Sequence, residues 1–182
     1  PLSIVNNLNM DLQCTEYSNM LMIGSDSDKA RSMFAFSMLS LAINYWVRNG
    51  KQAPQKPFIY FLNYKPLRDD YFPDIPELLA TKLLTNYVRS ISVGKADEIK
   101  DMVEMLYQET KETQEQEQFL LVFGYQRAEE LKSEEKPKKR QDILNMMSEK
   151  ADGEEKSMKE MVERILVDGP TKGIHTILWQ DD

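Results

Sequence analysis

Apolar residues along the chain gather in five short blocks, and between the blocks the spacing changes to that of helices. The first block, Met20 to Ile23, stops at Gly24 and gives way to a long helical pattern from Asp26 to Arg48. Within it Met33, Phe34, Phe36, Met38, Leu39, Ile43 and Trp46 cover most of the helix circumference, as expected of a helix packed between a sheet and something else. Asn49-Gly50 ends it. Phe58 to Tyr64 is rich in aromatic and β-branched residues and predicts a buried second strand. Pro66, Pro73 and Pro76 then punctuate a surface loop carrying Arg68, Asp69 and Asp70.

Glu77 to Leu84 predicts a short helix and Tyr87 to Val93 a third strand. From Lys95 to Glu117 a stripe of Ile99, Met102, Val103 and Leu106 marks an amphipathic helix that decays into an acidic, Gln-rich tail. Phe119 to Phe123 is the best-defined buried strand. The charge-dense run from Glu129 to Lys156 reads as a solvated face or loop. Glu155 to Val167 predicts a helix, and Gly169-Pro170 turns through Gly173 into a last strand, Ile174 to Trp179. Residues 1–18 read as a lead-in with room for a short edge strand. Strands alternating with helices predict an α/β, three-layer sandwich with a mostly parallel sheet of about five strands.

Length and charge narrow the classes. At 182 residues the chain is long enough for one domain with a real core, so a single domain over 1–182 is expected. Its first and last residues read as those of a piece excised from a larger multi-domain protein. With 23 basic and 30 acidic residues the net charge is −7, which disfavours a free-standing binder of phosphate backbones. Cys14 is the one cysteine, and nothing near it in sequence has metal-ligand spacing, so the reading is a reducing, cytoplasmic compartment. The longest apolar stretch, Met33 to Val47, is too short and too interrupted to span a membrane.

A strand that breaks at a glycine and re-emerges as a helix is the β-loop-α unit of nucleotide-binding α/β domains. A working phosphate loop, G-x-x-x-x-G-K-S/T, closes backbone N–H groups around phosphates, sends a lysine to them and holds Mg²⁺ with a hydroxyl. Here Gly24 and Ser25 open the loop, Lys29 comes one residue early without a second glycine, and Ala30 stands where the hydroxyl belongs. Asp26 and Asp28 add negative charge, and as residues at a helix start they are read as caps.

The order of parts resembles the FtsK/SpoIIIE-type DNA translocase motors of the HerA-like, RecA-fold ATPases. MLMIGSDSDKA lies where that family has its Walker A strand and loop; Phe58 to Lys65 is similar to its second strand; FLLVFGYQRAEEL is similar to its Walker B strand and trailing helix; GPTKGIHTILWQ resembles its G-R-x-x-G-I-H segment and last strand. The resemblance implies a P-loop NTPase (RecA/FtsK)-like fold, with the Met20–Ile23 strand central between the strands at 119–123 and 174–179. It also implies an ATP and Mg²⁺ position at Gly24, Ser25, Lys29 and Ala30, degenerate here. Gly124 and Tyr125 replace the Walker B acids, Pro170 replaces the family's arginine, and Asp181 displaces or replaces its final Gln. Catalytic residues and metal ligands are therefore expected to be none, with no cofactor beyond weak ATP and Mg²⁺ affinity.

The leading expectation is a catalytically degenerate domain acting as a structural or regulatory interaction module of a larger DNA-translocating or segregation ATPase. Its partners would be neighbouring domains of the same polypeptide and homo-oligomer subunits, with DNA reached only through the assembly and no membrane contact. The alternatives are an ATP-binding motor module completed in trans by a neighbouring subunit, and an α/β module unrelated to nucleotide. Arg127, Arg164 and Lys172 are candidate cations for a neighbour's nucleotide, against ordinary surface charge. His175, the one histidine, lacks sequence-adjacent partners for a triad or metal site and is read as fixing backbone.

Overall fold

The computed structural model describes residues 12–65, 74–91, 93–134 and 156–181. The element order is β1 (Met20–Ile23), α1 (Ser27–Arg48), β2 (Ile59–Asn63), α2 (Ile75–Leu78), which continues as a π-helical turn over Leu79–Leu83, β3 (Val88–Ile91), α3 (Ala96–Glu109), β4 (Gln118–Phe123), α4 (Met158–Asp168) and β5 (Ile174–Gln180). The five strands form one sheet in the order β1-β5-β4-β2-β3, and every pairing is parallel. The expected α/β sandwich is thus present, with core clusters on both sheet faces. On one face Phe34 and Met38 of α1 share a core cluster with Phe61 and Phe123 of the sheet; on the other Ile99 and Val103 of α3 and Ile165 of α4 share one with Leu62 and Leu120.

One expectation of the topology is overturned. Met20–Ile23 is not central: β5 stands between it and β4, and among the described residues β1 is the edge strand, paired with β5 alone. The physical reason is visible in the strands themselves. All six residues of β4 are buried, as a parallel strand covered on both faces requires, whereas β1 has only four residues, with Leu21 59 % and Ile23 63 % exposed. Asn19 holds β1 in register from its base, accepting from Thr176 N–H and donating to the Leu166 carbonyl at 2.8 and 2.7 Å.

Helix boundaries follow local chemistry. Asp26 is the N-cap of α1, its carboxylate accepting from Lys29 N–H at 3.0 Å, with Asp28 in the first turn and Arg48 in the last to suit the helix dipole. Ser157 and Glu160 form a reciprocal capping box at the start of α4, and Gly169-Pro170 close its end in a 3₁₀ turn. The amphipathic helix ends at Glu109, soon after the apolar stripe ends at Leu106, and the expected Gln-rich tail follows as non-helical chain with nothing to bury. No helix trails β4: Tyr125–Arg127 and Glu130–Lys132 are separate 3₁₀ turns, since Gly124 takes a left-handed conformation with φ 81°. Pro76 sits in the first turn of α2, where its missing N–H costs nothing, and not in the preceding loop. Arg68, Asp69, Asp70, the edge strand expected near the start and most of the charged run after Glu134 lie outside the described residues. Among the described residues no helix is long and apolar enough to cross a membrane.

Candidate functional site

In open parallel sheets ligands bind beyond the carboxyl ends of the strands, which here collects Gly24, Asn63, Gly124 and Asp181. The loop after β1 is committed to its own chain. Gly24 N–H donates to the Gln180 carbonyl at 3.2 Å, Lys29 N–H to the Asp26 carboxylate and Ala30 N–H to the Asp26 carbonyl at 3.1 Å. Ser25 is exposed. Lys29 Nζ lies 2.8 Å from Asp26 Oδ2 with both side chains in solvent; the hydrogen bond to Lys29 holds the Asp26 carboxyl below its ordinary range, and Asp26 in turn raises the lysine. Ala30 is 4 % exposed and belongs to the core that includes Phe34 and Phe123. A hydroxyl at that position would face the sheet.

At the end of β4 the sequence has glycine for a steric reason. A Cβ on Gly124 would lie 2.5 Å from the Tyr64 carbonyl oxygen and 3.0 Å from Arg127 Nη1. Arg127 occupies the space between strands: Nη1 donates to the Tyr64 carbonyl at 3.3 Å and Nη2 pairs with Asp181 Oδ2 at 3.2 Å, while Asp181 N–H donates to Gln126 Oε1. Tyr125 is half-buried, its hydroxyl pushed up mainly by burial and then by the charge of Glu163, with Lys132 Nζ 4.8 Å from its ring centroid. Gly124 and Tyr125, which the resemblance sets against the Walker B acids, are here a close-approach glycine and a packed ring. Arg31, from the first turns of α1, lies 5.6 Å over the Phe123 ring and pairs with Asp28.

The remaining candidates do not converge. Arg127 lies beyond the end of β4, Arg164 pairs with Asp168 on α4, and Lys172 precedes the start of β5 at the opposite end of the strands. Two constellations were not legible from sequence spacing. Beyond β2, Asn63 Nδ2 donates to Asp74 at 2.7 Å and Glu77 at 3.3 Å, and Ser90 donates to Glu77 at 3.1 Å. At the amino ends of the strands, Cys14 and Glu117 come beside His175, the three offering one ligand atom each within 4.8 Å of one another. His175 does fix backbone as expected, its Nδ1 lying 2.9 Å from the Ser18 carbonyl, but its surroundings are richer than its sequence neighbours indicate. A cleft of about 490 Å³, lined by Leu12, Tyr45, Arg48, Glu115, Glu117 and Phe119, opens at the same end of the strands. Comparison of the chain with protein-family models, curated proteins and solved structures finds no match.

Proposed function

We propose that the domain is a non-hydrolysing interaction module, a degenerate FtsK/SpoIIIE-like unit serving a larger DNA-translocating or segregation ATPase as a structural or regulatory part. The likeness to that family stands on the four sequence landmarks; the edge position of β1 removes the topological support expected for it. The observation that carries the interaction reading is the outer face of α1. From Ser32 to Val47 the helix has no charged residue, and while Phe34, Met38 and Ala42 are buried against the sheet, Met33, Phe36, Leu39, Ile43, Trp46 and Val47 face solvent, between 36 % and 73 % exposed. A helix apolar all round is one with partners on both sides.

The occupant that fits is a second copy. Fully exposed, large side chains present up to roughly 150–250 Å² each, the aromatic ones most, so at 36–73 % exposure the six offer on the order of 500–600 Å². Two copies would hide on the order of 1,100 Å², enough for a specific interface. The face carries no charge from Ser32 to Val47, and the acids at its start are paired with Lys29 and Arg31, so two helices related by a two-fold axis set apolar surface on apolar surface without an unpaired charge between them. A cytoplasmic location and indirect contact with DNA belong to the same proposal, supported by the exposed thiol of Cys14 and the net charge of −7.

The test is the mass in solution of the wild-type chain and of Phe36→Glu and Ile43→Glu, by light scattering after size exclusion, with a thermal-shift titration of ATP and Mg²⁺. A dimer that both exposed-site variants convert to monomer, and no thermal shift, are expected. A chain that stays monomeric up to roughly 100 µM, where a 10 µM complex is largely formed, would overturn the second-copy interface. Saturable stabilisation by ATP, roughly 2.7 kcal/mol at 100 times the dissociation constant, would restore a nucleotide-binding function.

A further inference from the structure

We propose that Cys14, Glu117 and His175 form a zinc site that clamps the lead-in segment to the base of the sheet. The three residues come from separate parts of the chain: Cys14 from the segment before β1, Glu117 from the position preceding β4, and His175 from the second position of β5, where it pairs in register with Phe119. The fold alone brings them together.

His175 is the member that distinguishes this cluster from a chance gathering of surface groups. It is fully buried, and its Nε2 has no hydrogen-bond partner among the described residues. Leaving a buried ring nitrogen unpaired is costly unless something else uses its lone pair. Nδ1 faces the Ser18 carbonyl at 2.9 Å. A carbonyl only accepts, so Nδ1 carries the proton and the lone pair falls on Nε2. That is the arrangement of a metal-ligating histidine, whose second nitrogen donates to a backbone carbonyl and fixes the tautomer. The Phe119 ring, stacked at 5.6 Å and 28°, fixes the imidazole plane.

The ligand set selects the ion. A thiolate excludes Mg²⁺ and Ca²⁺, which take oxygen ligands, while thiolate, imidazole and carboxylate together suit Zn²⁺. Three protein ligands leave the fourth tetrahedral position for water. Zinc distances of about 2.0–2.3 Å put tetrahedral ligand atoms roughly 3.3–3.7 Å apart, so the present spacing, within 4.8 Å, closes by about 1 Å. Cys14 and Glu117 are exposed and free to make that movement around the fixed histidine. Hydrogen bonds on both sides hold the base: Gln118 N–H donates to the Gly173 carbonyl at 2.8 Å and Gln114 N–H to the Lys172 carbonyl at 2.9 Å.

The experiment titrates the full chain, kept reduced by a non-chelating reductant, with Co²⁺ and then Zn²⁺. One Co²⁺ per chain, a thiolate-to-cobalt charge-transfer absorption that Zn²⁺ abolishes, and a zinc-dependent rise in melting temperature are expected. Because Cys14 and Glu117 are exposed, Cys14→Ser and Glu117→Gln keep the fold. Each should weaken zinc binding by at least about tenfold, in line with losses around metal sites, and Cys14→Ser should lack the charge-transfer band. Absence of that band in the wild type, or zinc affinity unchanged in the two variants, would overturn the site.

Discussion

Replacing Gly124 tests whether the end of β4 is shaped by close packing, as the geometry of the Tyr64 carbonyl demands. Two costs can be separated. The first is conformational: at φ 81° an L side chain is strained by about 1–2 kcal/mol. The second is steric: a methyl 2.5 Å from a backbone oxygen forces β2 and the turn after β4 apart, and disturbs the Arg127 contacts with Tyr64 and Asp181. Together these place Gly124→Ala at roughly 3–4 kcal/mol, in the range reserved for strain plus a broken buried contact. Gly50→Ala is the control, since Gly50 has φ 63° and nothing within 4 Å of an added Cβ, so it carries the first cost alone. Urea unfolding of both variants gives the difference from the midpoints at a common slope. In melting temperature, each kcal/mol corresponds to about 2–4 °C for a chain of this size. Equal destabilisation in the two variants would refute the close-packing argument.

Other consequences are measurable in the same preparations. Lys29→Ala should leave the melting temperature unchanged in calorimetry, because an ion pair between two solvated side chains contributes little. Ser157→Ala removes the oxygen that caps α4 and should cost about 1 kcal/mol by urea unfolding, with a smaller loss for Ser157→Asn. Tyr60, whose hydroxyl is pushed up to about 12 chiefly by burial and then by Glu109, favours the neutral phenol in the folded state. Its contribution is complete below the unfolded value near 10, is lost as pH rises from there through about 12, and should vanish from the alkaline stability profile of Tyr60→Phe.

The sequence made the layers legible because burial leaves a periodic record. The helix from Asp26 to Arg48, the strand through Phe119–Phe123 and the parallel sense of the sheet follow from apolar spacing and from Gly24, Asn49-Gly50 and Gly169-Pro170 at the breaks. Strand order leaves a weaker record. The resemblance to the translocase motors, not the apolar spacing, puts Met20–Ile23 at the centre of the sheet, whereas β1 pairs with β5 and leaves Leu21 and Ile23 exposed. The Gln-rich tail after α3 was legible because it offers no apolar face to pack. Asp26 was legible as a cap because capping is local. The grouping of Cys14 with Glu117 and His175 was not, since it depends on which strand lies beside which, and 103 residues separate the first two.

On the proposed reading of a degenerate nucleotide-binding loop, close packing at Ala30 and Gly124 decides whether hydrolysis could be built into this fold. Mg²⁺-dependent phosphoryl transfer needs a loop hydroxyl, a strand-end carboxylate and a positioned water at once. Ala30→Thr would push a hydroxyl into the apolar core beside Phe34, at the cost of a buried polar group without a partner. Gly124→Asp would meet the Tyr64 carbonyl before its carboxylate reached any ion. Lys29, anchored to Asp26, would still point to solvent. Each repair is unfavourable by itself and useless without the others, because groups that act together in catalysis lose nearly all activity when one is absent. Phosphate release by the double variant should therefore stay at background, and it would do so in a less stable chain.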